Sequence, residues 1–145
     1  MASASGHPEP DMNDVIEELR EINQDRFNSM SLPTDDELVE LEEEILISIP
    51  ADLKEFLLEA SDVVYGSLSP VTATEPHAQT HLPEMTATAW SIGLARELIP
   101  ICEANNGYYF IEQDGSIGFW SQEEDVSEEQ WDNLWDWISD IWISS

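Results

Sequence analysis

The chain has 145 residues, 41% hydrophobic and 9% aromatic, with 32 acids against four bases for a net charge of −28. That much apolar material fits one domain with a real core and excludes a chain disordered throughout. That much negative charge makes nucleic acid and anionic lipid poor partners, since both are bound through Lys and Arg.

The bases are Arg20, Arg26, Lys54 and Arg96, so nothing basic follows position 96. Small domains usually carry a net charge of about 2–8 in magnitude, and excess like charge repels itself. A basic protein or a cation is the electrostatically sensible partner; the plainer reading is that the acids only solvate the surface. Cys102 is the only cysteine, which rules out an internal disulfide and suits a reducing compartment. The opening MASASGHPEP lacks the apolar run of a signal peptide, and no window approaches the ~18 apolar residues of a membrane span. The expected compartment is the cytoplasm.

Residues 1–10 are small, polar and Pro-containing, and read as a disordered tail before a single domain over 11–145. Met12, Val15, Ile16, Leu19 and Ile22 recur at helical spacing and predict a helix from Asp11 to about Phe27. Thr34, with Glu37 three residues on, is a capping box for a second helix whose buried stripe is Leu38, Leu41 and Ile45. Pro50 is placed to open a third helix with Leu53, Phe56, Leu57 and Ala60 inward. VVYGSLSPV (Val63–Val71) reads as one or two short strands with Gly66 a bulge, TATEPHAQTHLPE as a polar loop, and Thr88–Glu97 as a short helix or an extended segment. LIPIC (Leu98–Cys102) is strand-like, and Pro100 within it points to an edge strand or a bulge.

GYYFIEQDGSIGFW predicts a hairpin. Asn106-Gly107 and Asp114-Gly115 are both turn signals, because type I′ turns need positive φ at two residues. A two-residue turn at Asp114-Gly115 pairs Gln113 with Ser116 and sets Phe110 opposite Phe119 and Tyr109 opposite Trp120. Tyr109, Ile111 and Trp120 then share one face, and Tyr108, Phe110, Ile117 and Phe119 the other. Both faces are apolar, so either helices cover both or one aromatic face waits for a partner. A closing helix is expected from Ser127, its N-cap, to about Trp142. Its apolar stripe is Trp131, Leu134, Trp135, Ile138, Ile141 and Trp142, with Trp137 off it.

Signals of chemistry are weak. His77 and His81 are four apart with Glu75 and Glu84 nearby, but Pro76 and Pro83 make the segment a loop and no HExxH pattern is present. No metal or cofactor is expected. Thirty-two acids rob any carboxylate pair of specificity. A lone Cys in an apolar strand is far more often core than nucleophile, and no glycine-rich phosphate loop precedes a helix.

LPTDDELVELEEEILISIPADLKEFLLEAS resembles the opening of the SUKH superfamily, the SMI/KNR-type cell-wall-assembly-regulator domains. The shared pattern is an acidic helix, the Ile49-Pro50 step, then Lys54, Phe56 and Leu57. LIPICEANNGYYFIEQDGSIGFWSQEED is similar to the family's second block, and the resemblance covers Leu32 to Trp142. The glycine pair often found after the third helix is reduced to Gly66, and Phe110 stands where a Cys is common. The resemblance implies an α+β fold, a largely antiparallel twisted sheet with N- and C-terminal helices packed on it. It also implies function by binding: bacterial members look like immunity proteins against polymorphic toxins, often nucleases, and fungal members regulate cell-wall synthesis.

The leading expectation is therefore a non-catalytic immunity protein for a basic toxin. A regulatory scaffold for an endogenous protein is the alternative, and a hydrolase using carboxylates or Cys102 is a third. The expected partner surface is Tyr109 and Trp120 with Glu123, Glu124, Asp125, Glu128 and Glu129. The plainer alternative is that the acids serve the helix dipole at Ser127.

Overall fold

The computed structural model describes residues 12–23, 32–74, 78–104 and 106–145. The expected tail over 1–10, Asp11 and the stretch from 24 to Phe27 lie outside these residues. The first helix, α1 (Met12–Ile22), buries Val15 and Leu19 and packs on the third helix, residues Ala51–Ala60. Arg20 pairs with Asp62, and Asn23 Oδ1 accepts the Val64 amide at 2.9 Å, tying α1 to the end of the third helix.

Helix α2 (Asp35–Ile45) starts as its sequence requires. The Glu37 amide donates to Thr34 Oγ1 at 3.2 Å and the Thr34 amide to Glu37 Oε1 at 3.0 Å, a box worth about 1 kcal/mol. The helix ends on Leu46, held at φ +66 with its amide donating to the Glu42 carbonyl. Glu42 then steadies the ILISIP link: its carboxylate accepts the Ile49 amide at 2.8 Å and faces Lys54 Nζ at 3.4 Å. Helix α3 (Ala51–Ala60) begins one residue later than expected, with Pro50 before its first turn, and buries Leu53, Phe56, Leu57 and Ala60.

Val63–Val71 does not form strands. It makes only isolated bridges, Tyr65 to Leu68 around Gly66 (φ +62) and Pro70 to Cys102. Helix α4 (Leu82–Ser91) occupies ground expected to be loop at its start. Pro83 lies in its first turn, where the missing N–H costs nothing, and Glu84 follows in the same turn.

Four antiparallel strands follow in spatial order β1 (Ile99–Ala104), β2 (Gly107–Ile111), β3 (Ile117–Ser121), β4 (Asp125–Trp131). Pro100 sits where an edge strand and a bulge both allow it: β1 is an edge, and its register shifts between Pro100 and Cys102. The β1–β2 turn joins Ala104 to Gly107, with Asn106 at φ +67.

The β2–β3 turn corrects the expected register. The Gly115 amide donates to the Glu112 carbonyl and the Glu112 amide to the Ser116 carbonyl, both at 2.9 Å. Three residues, not two, therefore span the turn, with Gly115 at φ +95. Asp114 Oδ1 takes the Ser116 amide and hydroxyl, at 2.9 and 2.7 Å, and these bonds hold its carboxyl below the usual range. Ile111 now pairs Ile117, Phe110 pairs Gly118, Tyr109 pairs Phe119 and Tyr108 pairs Trp120. Phe110 and Phe119 thus lie on opposite faces, against the expectation that they oppose each other.

The expected closing helix from Ser127 is also corrected. Residues 125–131 are strand β4, and α5 (Leu134–Trp137) starts after Asn133, whose Oδ1 accepts the Asp136 amide at 2.9 Å. Pairing with β3 claims the acidic run, and the Ser127 hydroxyl makes its local bond to the Glu129 amide within the strand (3.2 Å). Helix α5 continues into a π-helical turn, Ile138–Trp142. Among the described residues the result is five α-helices and one four-stranded antiparallel sheet, an α+β domain.

Two glycines let the aromatic strands pack. A Cβ on Gly118 would lie 2.6 Å from Phe110 Cζ, and one on Gly107 would strike the Trp120 carbonyl and lie 2.7 Å from Phe119 Cζ. Gly118→Ala is expected to cost about 1–3 kcal/mol, because only the buried Phe110 ring need move. Gly107→Ala is expected to cost more, because backbone must move. Urea unfolding midpoints check this ranking; equal losses would show that strand spacing adapts freely.

Candidate protein-binding face

Alternation along the strands gives the sheet two faces of different character. One carries Tyr108, Phe110 and Trp120, with α4 and its C-terminal turn lying on it. There Trp120 is only 5% exposed, its ring 3.3 Å from where a Cβ on Gly93 would sit. Tyr108 is likewise buried, and its phenol is pushed up by burial, by the Glu103 charge and by a hydrogen bond to that carboxylate.

The other face carries Cys102, Tyr109 and Phe119, and α5 lies on it. Tyr109 meets Phe119 edge-on at 4.9 Å, Trp131 at 5.8 Å and Trp137 at 5.2 Å between ring centroids. Such pairs contribute about 0.5–1.5 kcal/mol beyond burial. Trp137 is 1% exposed, whereas Tyr109, Phe119 and Trp131 stay half-buried. The Trp131 indole N–H donates to Asp140 Oδ2 at 3.2 Å. The Tyr109 phenol is pushed up first by burial, then by the Glu129 charge, then by Cys102, so Glu129 stands close to it.

Acids rim this aromatic patch. Glu123, Glu124 and Asp125 are exposed in the β3–β4 turn, where the Glu124 amide donates to Ser121 Oγ at 3.2 Å and Asp125 adopts φ +58. Glu128 and Glu129 are exposed on β4. On the far side of Trp131, a 350 Å³ hollow is lined by Asp132, Asp136 and Asp140. The three bases among the described residues lie elsewhere: Arg20 on Asp62, Lys54 on Glu42, Arg96 over the Trp90 ring.

Of the expected surface, the structure brings Glu129 toward Tyr109 and leaves Glu123, Glu124, Asp125 and Glu128 exposed on the β3–β4 turn and β4. It removes Trp120, which is a core residue on the opposite face because the register moved by one. It also removes the helix-dipole explanation for Glu128 and Glu129, since no helix begins at Ser127. Phe119 and Trp131 enter in their place. The sequence signal for Phe119 was the turn length; Trp131 was masked by a helical stripe whose other members, Leu134 to Trp142, are helical, while Trp131 itself ends β4.

Burial, then the Glu103 charge, push the Cys102 thiol up to about 12, against a lesser lowering by a Ser69 backbone bond, so it stays protonated. His81 is buried at the start of α4 and Glu84 is exposed, while Glu75 and His77 lie outside the described residues. Among the described residues no three His, Cys, Asp or Glu are grouped to hold a metal. No helix among them is long and apolar enough to cross a membrane.

The family model SUKH_5, described as SMI1-KNR4 cell-wall, matches residues 12–143. The chain belongs to this SUKH family. A crystal structure of a protein from Pseudomonas syringae pv. tomato is 51% identical, with a TM-score of 0.87 over 92% of this chain and 99% of that one. No curated protein matches. The SUKH match takes in α1, which the resemblance read from Leu32 onward had left out, and α1 is indeed part of the same core through Val15 and Leu19.

The buried thiol generates a pH prediction. Its folded pKa of about 12 exceeds the ordinary 9.0, so the folded state holds the proton more tightly than the unfolded one. Stability is therefore expected to fall as pH rises from 9 toward 12, by at most ~1.4 kcal/mol per unit from this group. Cys102→Ala should flatten that slope in chemical unfolding. An unchanged slope would assign it to the tyrosines.

Proposed function

We propose that this SUKH domain is a non-catalytic protein-binding module, and that it acts as an immunity protein neutralising a basic toxin. The observation that carries this reading is the half-exposed Tyr109, Phe119 and Trp131 cluster rimmed by acids, with no base nearby among the described residues. A tight interface is usually an aromatic anchor inside a polar rim. A nuclease suits it best as the target, because a surface built to hold phosphates is itself basic. An acidic inhibitor occupies the same field and is steered in, with association rates reaching the order of 10⁸–10⁹ M⁻¹s⁻¹. The cytoplasm is the compartment such an inhibitor of nuclease action requires. The family description, which speaks of the cell wall, favours a second reading, a regulator binding an endogenous protein through the same face.

Co-expression with the product of the adjacent gene separates the two. An immunity protein is expected to rescue cells from a neighbour that kills alone, and to form a one-to-one complex with it. Tyr109→Ala and Trp131→Ala should each weaken that complex at least about thirtyfold, as anchors do. Reversing Glu123, Glu124 and Asp125 to Lys should slow association and flatten its salt dependence. A harmless neighbour, or a complex indifferent to all these changes, would overturn the reading.

A further inference from the structure

On the other side of the sheet, α2 and α4 lie against each other and leave a long cleft between them. Two hollows of 370 and 400 Å³ meet there, sharing Glu44 of α2 and Glu84 of α4 as opposing walls. We infer that this cleft is a second docking groove, shaped and charged for a basic amphipathic helix of a partner protein.

The acidic half is regular. Glu37, Glu40 and Glu44 follow one another at spacings of three and four along α2, so they line one side of that helix. The Glu37 carboxylate is engaged in its own capping box. Glu40, Glu44 and Glu84 have no Lys or Arg partner among the described residues and are all exposed. Bases at the same spacing on a helix laid along α2 would meet them in turn.

The other half is apolar and held open. Leu46 is 83% exposed and sits at φ +66, a conformation that costs a branched residue about 1–2 kcal/mol. Across from Leu46 stand Pro83 and the half-buried ring of Trp90, with Arg96 stacked 5.4 Å above that ring. The Arg96 cation keeps a second base away from this end and leaves it for a large apolar side chain. Thr86 also lines the cleft; its hydroxyl is buried and has no hydrogen-bond partner among the described residues.

A helix fits better than the other occupants. The groove between two packed helices accepts a third by the same ridge-and-groove matching. A second copy of this chain would bring another −28 of like charge. The surface is distinct from the Tyr109–Trp131 patch, which lies on the opposite face of the sheet.

The test is a titration of the full ¹⁵N-labelled chain with synthetic helical peptides. The first carries Lys at positions i, i+3 and i+7 and one Leu a turn beyond. The second replaces Lys by Glu, and the third replaces Leu by Ser. Saturable binding of the first alone is expected, with shifts at Glu44, Leu46, Ala87 and the Trp90 indole N–H. Glu40→Lys with Glu44→Lys should weaken it at least about tenfold, and Leu46→Ser about fivefold or more. Glu84→Lys on the opposite wall repeats the charge test should the α2 variant fold poorly. Shifts at Tyr109 and Trp131 instead, no saturable binding, or equal binding of the Glu peptide would overturn the groove. So would a dimer in sedimentation that Leu46→Asp dissociates, since a second copy would then be the occupant.

Discussion

The β2–β3 pair is apolar on both faces, and the rest of the domain is arranged around that fact. A hairpin with one wet face can sit on a single layer of helices; this one cannot. Its Phe110, Trp120 and Tyr108 side takes α4, and its Ile111, Ile117 and Tyr109 side takes α5 with α3 behind it. The strands come close enough for this only because Gly107 and Gly118 give up their side-chain space to Phe119 and Phe110. Phe110 lies over Gly118 directly opposite it and Phe119 lies diagonally over Gly107, so one such contact holds each face.

Coverage of the second face is incomplete: Tyr109, Phe119 and Trp131 stay partly open to solvent. Helix α5 is only Leu134–Trp137 before the backbone widens into a π-helical turn, and it seals Trp137 while leaving Trp131 half-open. Wide turns of this kind recur at functional positions. The acids then have to lie at the surface, because each needs water or a base and the described bases are already engaged. They gather along the β3–β4 turn, along β4 and on the outer side of α2. A single domain thus ends with two anionic faces of different shape.

Much of this was legible in the residues. The capping box at Thr34, the stripes of α1 to α3 and the edge position of Pro100 each rest on local chemistry that the tertiary fold leaves alone. The family was legible from the order of short motifs. What could not be read was set by competition. Asp-Gly supports both a two-residue and a three-residue turn, and one residue of difference moved Trp120 off the face of Tyr109 into the core and brought Phe119 onto that face. Ser127 followed by acids supports a helix start, but β3 offered the same backbone a ladder, and Asn133 supplied another cap six residues later. Helix α4 was hidden because Pro83 was read as a breaker when it sits in a first turn, where proline starts helices.

Strand β4 has a further meaning as the free edge of the sheet. An open edge is a template for any extended chain, and most proteins blunt it. Here Asp125, Glu128 and Glu129 stand along seven residues of edge. Two such edges brought together antiparallel would set carboxylates against carboxylates, which drives copies of this chain apart. An extended segment rich in lysine would meet the opposite welcome. The edge therefore distinguishes strands by sign: its row of carboxylates opposes a second copy of itself and would suit only a basic strand.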